Sequence, residues 1–173
     1  MNEGVQETGA AVAAARHAGK YLTFSLADEE YGVEILKVQE IIRMLPITRV
    51  PRTPAFVRGV INLRGRVIPV VDLRSKLGMD PLDGGPEQCM IVIQVMDVQT
   101  ALIVDRVSEV LDIAPDAIED PPHLGADGST EFLLGIAKTA GRVQLLLDID
   151  QVLSKQEVVL LQITRSELEA DAD

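Results

Sequence analysis

The chain has 173 residues, of which 16 are Lys or Arg and 27 are Asp or Glu, so its formal net charge is −11. This charge repels phosphate backbones and acidic lipid surfaces, and an aromatic content of 3% offers little for stacking bases, which disfavours nucleic-acid binding and direct membrane insertion. Hydrophobic residues make up 47%, and without Trp the core must consist mainly of Val, Ile and Leu, which favours β-structure.

Short strands dominate the pattern from residue 20 onward, after a tail at 1–19 that is rich in Ala, Gly and Glu and is expected to be loose. Alternating or β-branched runs predict strands at 21–26, 31–35, two within 59–74 that join at Gly65, 89–97, 100–107 and 108–113. Residues 155–173 predict a helix whose acidic end frays.

Two segments need more than alternation for their interpretation. Residues 35–45 fit either a helical face or a turn followed by a strand, and their β-branched residues with Pro46 favour the second. A single helical turn is predicted within 52–59, with Thr53 as a cap, Pro54 at the first position and Gly59 at the end.

The strongest boundary between the two halves is at residues 79–88, which are dense in Pro, Gly and Asp.

An internal repeat predicts the architecture. Residues 31–41 align with 100–110 at an offset of 69, and residues 56–77 align with 132–153 at an offset of 76. The matched pairs include Phe56 with Phe132, Gly59 with Gly135, Gly65 with Gly141, Arg66 with Arg142 and Asp72 with Asp148. A seven-residue insertion in the Pro-rich loop of the second half explains the change of offset. The repeat predicts two small, mainly antiparallel β-units that close into barrels, because closure removes sticky strand edges.

The repeat also separates residues that the shared fold needs from residues that it does not. Arg64 lies in an apolar run between two strands and aligns with Ala140, and Arg58 aligns with Leu134. Because the same corner accepts Ala, the fold does not require the Arg64 guanidinium, and we expect a partner to use it.

Catalysis and metal binding find little support in the sequence. The two histidines, His17 and His123, fall in the tail and in a Pro-rich loop, and no Cys/His spacing suggests a metal site. The single Cys89 cannot form an internal disulfide, which fits a reducing cytoplasm. We expect no cofactor and no enzymatic activity; a rival interpretation, a small hydrolase or transferase on a β-barrel, would need a convergent nucleophile and base that the sequence does not show.

The stretches "DEEYGVEILKVQEI", "TPAFVRGVINLRG" and "VIPVVDLR" resemble the signature of the CheW family of bacterial chemosensory coupling proteins, and the likeness covers about residues 20–165. The resemblance implies a mainly β fold of two SH3-like five-stranded β-barrel subdomains with short helices. The subdomains are expected at 20–80 and 87–153, with residues 154–173 forming a C-terminal helix that packs back on the first.

The resemblance also implies a scaffold that bridges the cytoplasmic tips of methyl-accepting chemoreceptors to the regulatory domain of the histidine kinase CheA. The protein would be cytoplasmic and recruited to receptor arrays at the inner face of the membrane. The alternative is a CheW-like adaptor of a non-flagellar pathway, such as surface motility or development.

A receptor-binding groove is implied at five positions, which are Ile35, Val38, Glu40, Arg64 and, on the second side, Met90. Ile35 and Val38 could equally be ordinary core, and Glu40 recurs as Glu109, which suits a shared structural role. Arg64 could form an internal salt bridge with Asp72 or Glu40, and such a pair could also hold the guanidinium ready for a partner.

Overall fold

The structure is a computed structural model that describes residues 17–82, 84–121 and 132–171. Its strands are β1 Gly19–Leu26, β2 Glu29–Glu34, β3 Val38–Arg43, β4 Val57–Leu63, β5 Arg66–Asp72, β6 Cys89–Val95, β7 Val98–Val104, β8 Arg106–Ile113, β9 Ile118–Glu119, β10 Leu133–Thr139 and β11 Arg142–Leu147. Its helices are α1 Leu73–Lys76, α2 Ile149–Val152 and α3 Lys155–Asp171, with 3-10 turns at Ile35–Lys37 and Pro115–Ala117. The mainly β prediction is confirmed, and so is the turn followed by a strand at 35–45.

The strands form two sheets that repeat the same arrangement. One sheet has five strands in the order β3-β6-β7-β5-β4, and the other has six in the order β8-β1-β2-β11-β10-β9. The β1–β2 hairpin of the first repeat lies between β8 and β11 of the second, and the β6–β7 hairpin of the second lies between β3 and β5 of the first. Each repeat therefore donates its first hairpin to the other repeat's sheet.

This exchange changes how the predicted subdomains map onto the chain. Each sheet contains strands from both halves, so the boundaries 20–80 and 87–153 delimit neither sheet. Strands of the two halves join at the parallel pairs β5 with β7 and β2 with β11, and at the antiparallel pairs β3 with β6 and β1 with β8. Periodicity specifies which face of a hairpin is buried, but it does not specify which neighbouring strands receive that hairpin.

Both sheets close on themselves through the chain that follows one edge strand. After β3, Thr48 exchanges two backbone hydrogen bonds of 2.8 and 2.9 Å with Val60 in β4, the opposite edge. After β8, the short strand β9 pairs with β10 in the equivalent way. The closure agrees with the barrel prediction. It also agrees with the repeat, because the equivalent segment of each half pairs with the opposite edge strand of its sheet.

The helical turn predicted within 52–59 is present as one turn over 54–57, but Gly59 does not end it and the Thr53 hydroxyl donates to the Val50 carbonyl instead of capping it. The Val57 amide donates to the Pro54 carbonyl at 3.0 Å, which closes one turn, and β4 has already begun at Val57. Gly59 lies inside β4 with a φ of +140°, and a Cβ there would sit 2.0 Å from the Thr48 carbonyl oxygen. The glycine is needed for the close approach that closes the sheet, and it does not end a helix.

Four two-residue hairpin turns have left-handed φ at both central residues, as type I′ turns require. They are Ala27 with Asp28, Arg64 with Gly65, Met96 with Asp97, and Ala140 with Gly141. The turns match in pairs across the repeat, which places Arg64 and Ala140 at equivalent corners with the same φ of 52°.

The core has three parts. The largest cluster takes buried residues from both sheets and from α2 and α3, including Val158 and Leu161 of α3, and two smaller clusters lie within the five- and six-stranded sheets. Helix α3 packs on β5 and β7, and Lys76 of α1 pairs with Glu157 at 3.0 Å. In the described part of the chain, no helix combines the length and the hydropathy that a membrane crossing needs.

Candidate functional site

Arg64 is both held and accessible. It is the first residue of the turn between β4 and β5, and its Nη2 donates to Oε2 of Glu40 on β3. The Arg64 side chain is 68% exposed in spite of this pair. Of the two internal partners considered from the sequence, the structure selects Glu40. Asp72 lies at the far end of β5 from Arg64 and accepts from Arg58 at 2.7 Å.

The charges of this pair reinforce each other. The hydrogen bond from Arg64 lowers the pKa of the Glu40 carboxyl, and the same contact raises the pKa of the guanidinium. Both groups are therefore charged at neutral pH, and the guanidinium fork keeps donors that point away from Glu40 available to a second carboxylate or to helix C-terminal carbonyls.

The equivalent corner of the six-stranded sheet has no guanidinium. Ala140 occupies it, and Glu109, which aligns with Glu40, instead accepts from Arg142 at 3.3 Å. Arg142 also pairs with Glu30 at 3.1 Å. A paired glutamate on the third strand is thus shared by both repeats, whereas the corner arginine belongs to the first repeat alone.

Ile35 and Val38 lie on the segment that leads into Glu40, and both are half-buried. Both pack against the shared core cluster while keeping part of their surface open. Ile35 stands on the 3-10 turn that precedes β3, and β3 alternates half-buried with exposed positions from Val38 onward. They combine the core and surface roles that the sequence left open. Val38 lies two residues before Glu40 on β3, whereas Ile35 lines a pocket with Lys20 and Leu36.

Met90 does not join this face. It lies in β6 opposite Ile42 of β3, has 0% exposure and belongs to the core cluster of the five-stranded sheet. Its side chain offers no surface to a partner, because it fills the interior of the closed sheet. We therefore omit Met90 from the proposed site.

Sequence reasoning missed Leu36 and Met96. Leu36 is 93% exposed and Met96 is 38% exposed, and both line a pocket of about 430 Å³ beside the Lys37–Asp150 ion pair of 3.0 Å. Exposed apolar residues beside a pocket are candidates for contact with another protein. The repeat held the signal, because at the offset of 69 Leu36 aligns with the charged Asp105.

Asp105, the residue of the second repeat that aligns with Leu36, is held by an ion pair. It accepts from Arg74 Nε at 2.8 Å, from Arg74 Nη2 at 2.5 Å and from the Ala27 amide at 2.8 Å. Burial alone would raise the pKa of Asp105, but the hydrogen bonds from Arg74 and Ala27 lower it. At this position the second repeat has a largely buried ion pair, whereas the first repeat has the exposed apolar side chain of Leu36.

The other candidates for chemistry remain isolated. Cys89 is half-buried, and burial raises the pKa of its thiol. His123 lies outside the described residues. Within 17–82, 84–121 and 132–171, no three His, Cys, Asp or Glu side chains are grouped as metal ligands.

Comparisons with known proteins give consistent results. A family model described as "CheW-like domain" matches residues 20–157. The Chemotaxis protein CheW of Klebsiella aerogenes is 37% identical over 142 residues, which cover 82% of this chain and 86% of that protein. The Chemotaxis protein CheW of Rhizobium meliloti is 36% identical over 149 residues, which cover 82% of this chain and 96% of that protein.

Two further matches differ in name and in kind. Protein FrzA of Myxococcus xanthus is 33% identical over 137 residues, which cover 79% of this chain and 85% of that protein. The crystal structure of the scaffolding protein TtCheW from Thermoanaerobacter tengcongensis superposes with a TM-score of 0.73 at 35% identity, covering 81% of this chain and 95% of that one.

Proposed function

The chain belongs to the CheW-like family, and we propose that it is a non-enzymatic adaptor that couples methyl-accepting chemoreceptors to the regulatory domain of the histidine kinase CheA. It would work in the cytoplasm, recruited to receptor arrays at the inner face of the membrane. The observation that carries the proposal is the exposed guanidinium of Arg64, which Glu40 holds at a corner where the other repeat has Ala140.

A receptor tip made of helices suits the chemistry of this face. Ile35 and Val38 offer a partly open apolar floor for side chains at helical spacing, and Arg64 offers donors for a carboxylate or for helix-end carbonyls. Glu40 acts as a positioning residue, because it holds the guanidinium in one place before the partner arrives and so reduces the entropy lost on binding.

Coupling requires two partners that bind one adaptor at separate faces. One receptor conformation can bind the Arg64 face more tightly than another does. That difference in affinity then shifts the balance between the active and inactive states of the attached kinase. Single contacts can be weak in such an assembly, because many linked copies raise the effective concentration of each site.

The test is capture of a purified receptor cytoplasmic fragment and of the CheA regulatory domain by Arg64→Ala. We expect weaker capture of at least one partner with an unchanged thermal midpoint, because Ala already occupies the equivalent corner at the same φ. Lys138→Ala is the matched control, since it breaks one exposed ion pair, with Glu119, on the other sheet. Wild-type capture of both partners by Arg64→Ala would contradict the proposal.

A second variant tests the role of Glu40. Glu40→Gln keeps the shape of the side chain but loses the charge that orients Arg64, so we expect a smaller loss of capture than in Arg64→Ala. A larger loss would mean that Glu40 itself contacts the partner.

The match to Protein FrzA favours keeping one alternative, an adaptor of a chemosensory pathway other than flagellar chemotaxis. Both alternatives use the same face and the same classes of partner. Co-purification from the native cell, followed by identification of the captured receptor and kinase, separates them.

A further inference from the structure

Positive charge is concentrated in one part of this acidic chain. Residues 41–71 contain no Asp or Glu, although the whole chain has 27. The same stretch contains six arginines, which are Arg43, Arg49, Arg52, Arg58, Arg64 and Arg66. The equivalent stretch of the second repeat, 110–147, has six acidic and two basic residues, so the shared fold does not require this charge.

Two of these arginines line a pocket that is separate from the Arg64 face. The pocket has a volume of about 260 Å³, and Arg49, Arg58 and Thr53 supply its polar lining. Pro54 and Val57 are among its apolar walls. A carboxylate on a short aliphatic stem matches this combination, because the charge meets guanidinium groups while the methylenes meet the walls.

The loop that forms the pocket is held in place without regular secondary structure. Its start is fixed by the two Thr48–Val60 backbone bonds, and Thr53 Oγ1 donates to the Val50 carbonyl at 2.9 Å. Its end is fixed by the bond of 3.0 Å from the Val57 amide to the Pro54 carbonyl. A binding loop that is already ordered loses less entropy when a ligand arrives.

Arg52 adds a third guanidinium next to the pocket loop. It is exposed and follows Pro51 in a turn, where its φ of +65° suits the second central residue. Neither Arg49 nor Arg52 has an ion-pair partner among the residues that the structure describes, whereas Arg58 pairs with the buried Asp72 at 2.7 Å.

We propose that this pocket binds a Glu- or Asp-bearing segment of a partner protein, with one carboxylate between Arg49 and Arg58 and a neighbouring one at Arg52. A peptide is favoured over nucleic acid, because the net charge of −11 repels an extended phosphate backbone while a few carboxylates meet only the local basic surface. The proposal uses none of the residues assigned to receptor–kinase coupling, so either can fail without the other.

The test is fluorescence-anisotropy binding of a labelled peptide of alternating Glu and Ala to the full chain, at about 50 mM salt where charge pairing is weakly screened. We expect saturable binding that weakens as salt rises, and no binding of the matching Lys–Ala peptide. The double variant Arg49→Glu with Arg52→Glu should lower the affinity about tenfold or more.

The matched control is Arg106→Glu with Lys138→Glu, which makes the same change in net charge at exposed positions of the six-stranded sheet. The control should lower the affinity no more than about threefold, as a long-range effect of net charge. Equal losses in the two double variants, no saturable binding by the wild type, or equal affinity for single-stranded DNA would each overturn the proposal. Arg49→Gln with Arg52→Gln replaces the Glu variant if that variant does not fold, and it should lose affinity in the same direction.

Discussion

Replacing Asp105 by Ala should lower the free energy of unfolding by about 2–3 kcal/mol, because the Asp105 carboxylate satisfies three donors at one corner. Asp105 and Arg74 are only 16% and 17% exposed, so truncation leaves a guanidinium that is largely out of water without its carboxylate. Breaking a fully buried pair costs about 3–5 kcal/mol, and the partial exposure of this pair places it below that range.

The assay is urea unfolding followed by circular dichroism, with thermal unfolding as a second measure. The urea midpoint should fall without a change in slope, and the thermal midpoint should fall by about 5–10 °C for a chain of this size. Asp105→Leu combined with Arg74→Met should recover part of the loss, because both charges are then removed together.

The control is Lys138→Ala, which breaks an exposed pair with Glu119 and should change stability by less than about 0.5 kcal/mol. A loss in Asp105→Ala no larger than the loss in Lys138→Ala would refute the reasoning. It would mean that Arg74 rehydrates freely once its partner is gone and that the corner is not closed by the ion pair.

Three further predictions concern the glycines, pH and the open corner. Gly59→Ala should lower the free energy of unfolding in urea by more than about 2 kcal/mol, because its Cβ would lie 2.0 Å from the Thr48 carbonyl oxygen. Gly65→Ala should lower it by about 1 kcal/mol, since only its φ of +86° opposes a side chain. The pKa of Asp105 is lowered in the folded state, so its stabilisation is fully present above the unfolded pKa of about 4 and is lost as pH falls through the folded pKa. The difference in unfolding free energy between wild type and Asp105→Asn should therefore be constant from about pH 5 to 8 and should narrow below about pH 4. Leu36→Ala should leave the thermal midpoint unchanged at a side chain that is 93% exposed and should weaken capture of receptor or kinase, and unchanged capture would remove Leu36 from the candidate face.

The positions of most strands along the chain, the turn at Gly65 and the family could be predicted from the amino-acid sequence because their signals are local. Alternation marks most of the strands, and the aligned glycines Gly65 and Gly141 mark equivalent turns. The repeat added a comparison within one chain, and the alignment of Arg64 with Ala140 identified a guanidinium that the fold does not need. Glu40 and Arg64 then met in the structure as one of the two internal pairs considered.

Only the tertiary structure decided how these elements combine. It exchanged the first hairpins between the two sheets, buried Met90 and left Leu36 exposed, and it used Gly59 for a close approach to Thr48. Each of these outcomes depends on contacts between segments that are distant in sequence. Local periodicity describes the faces of a strand, and it carries no record of which strand lies beside that face in the folded chain.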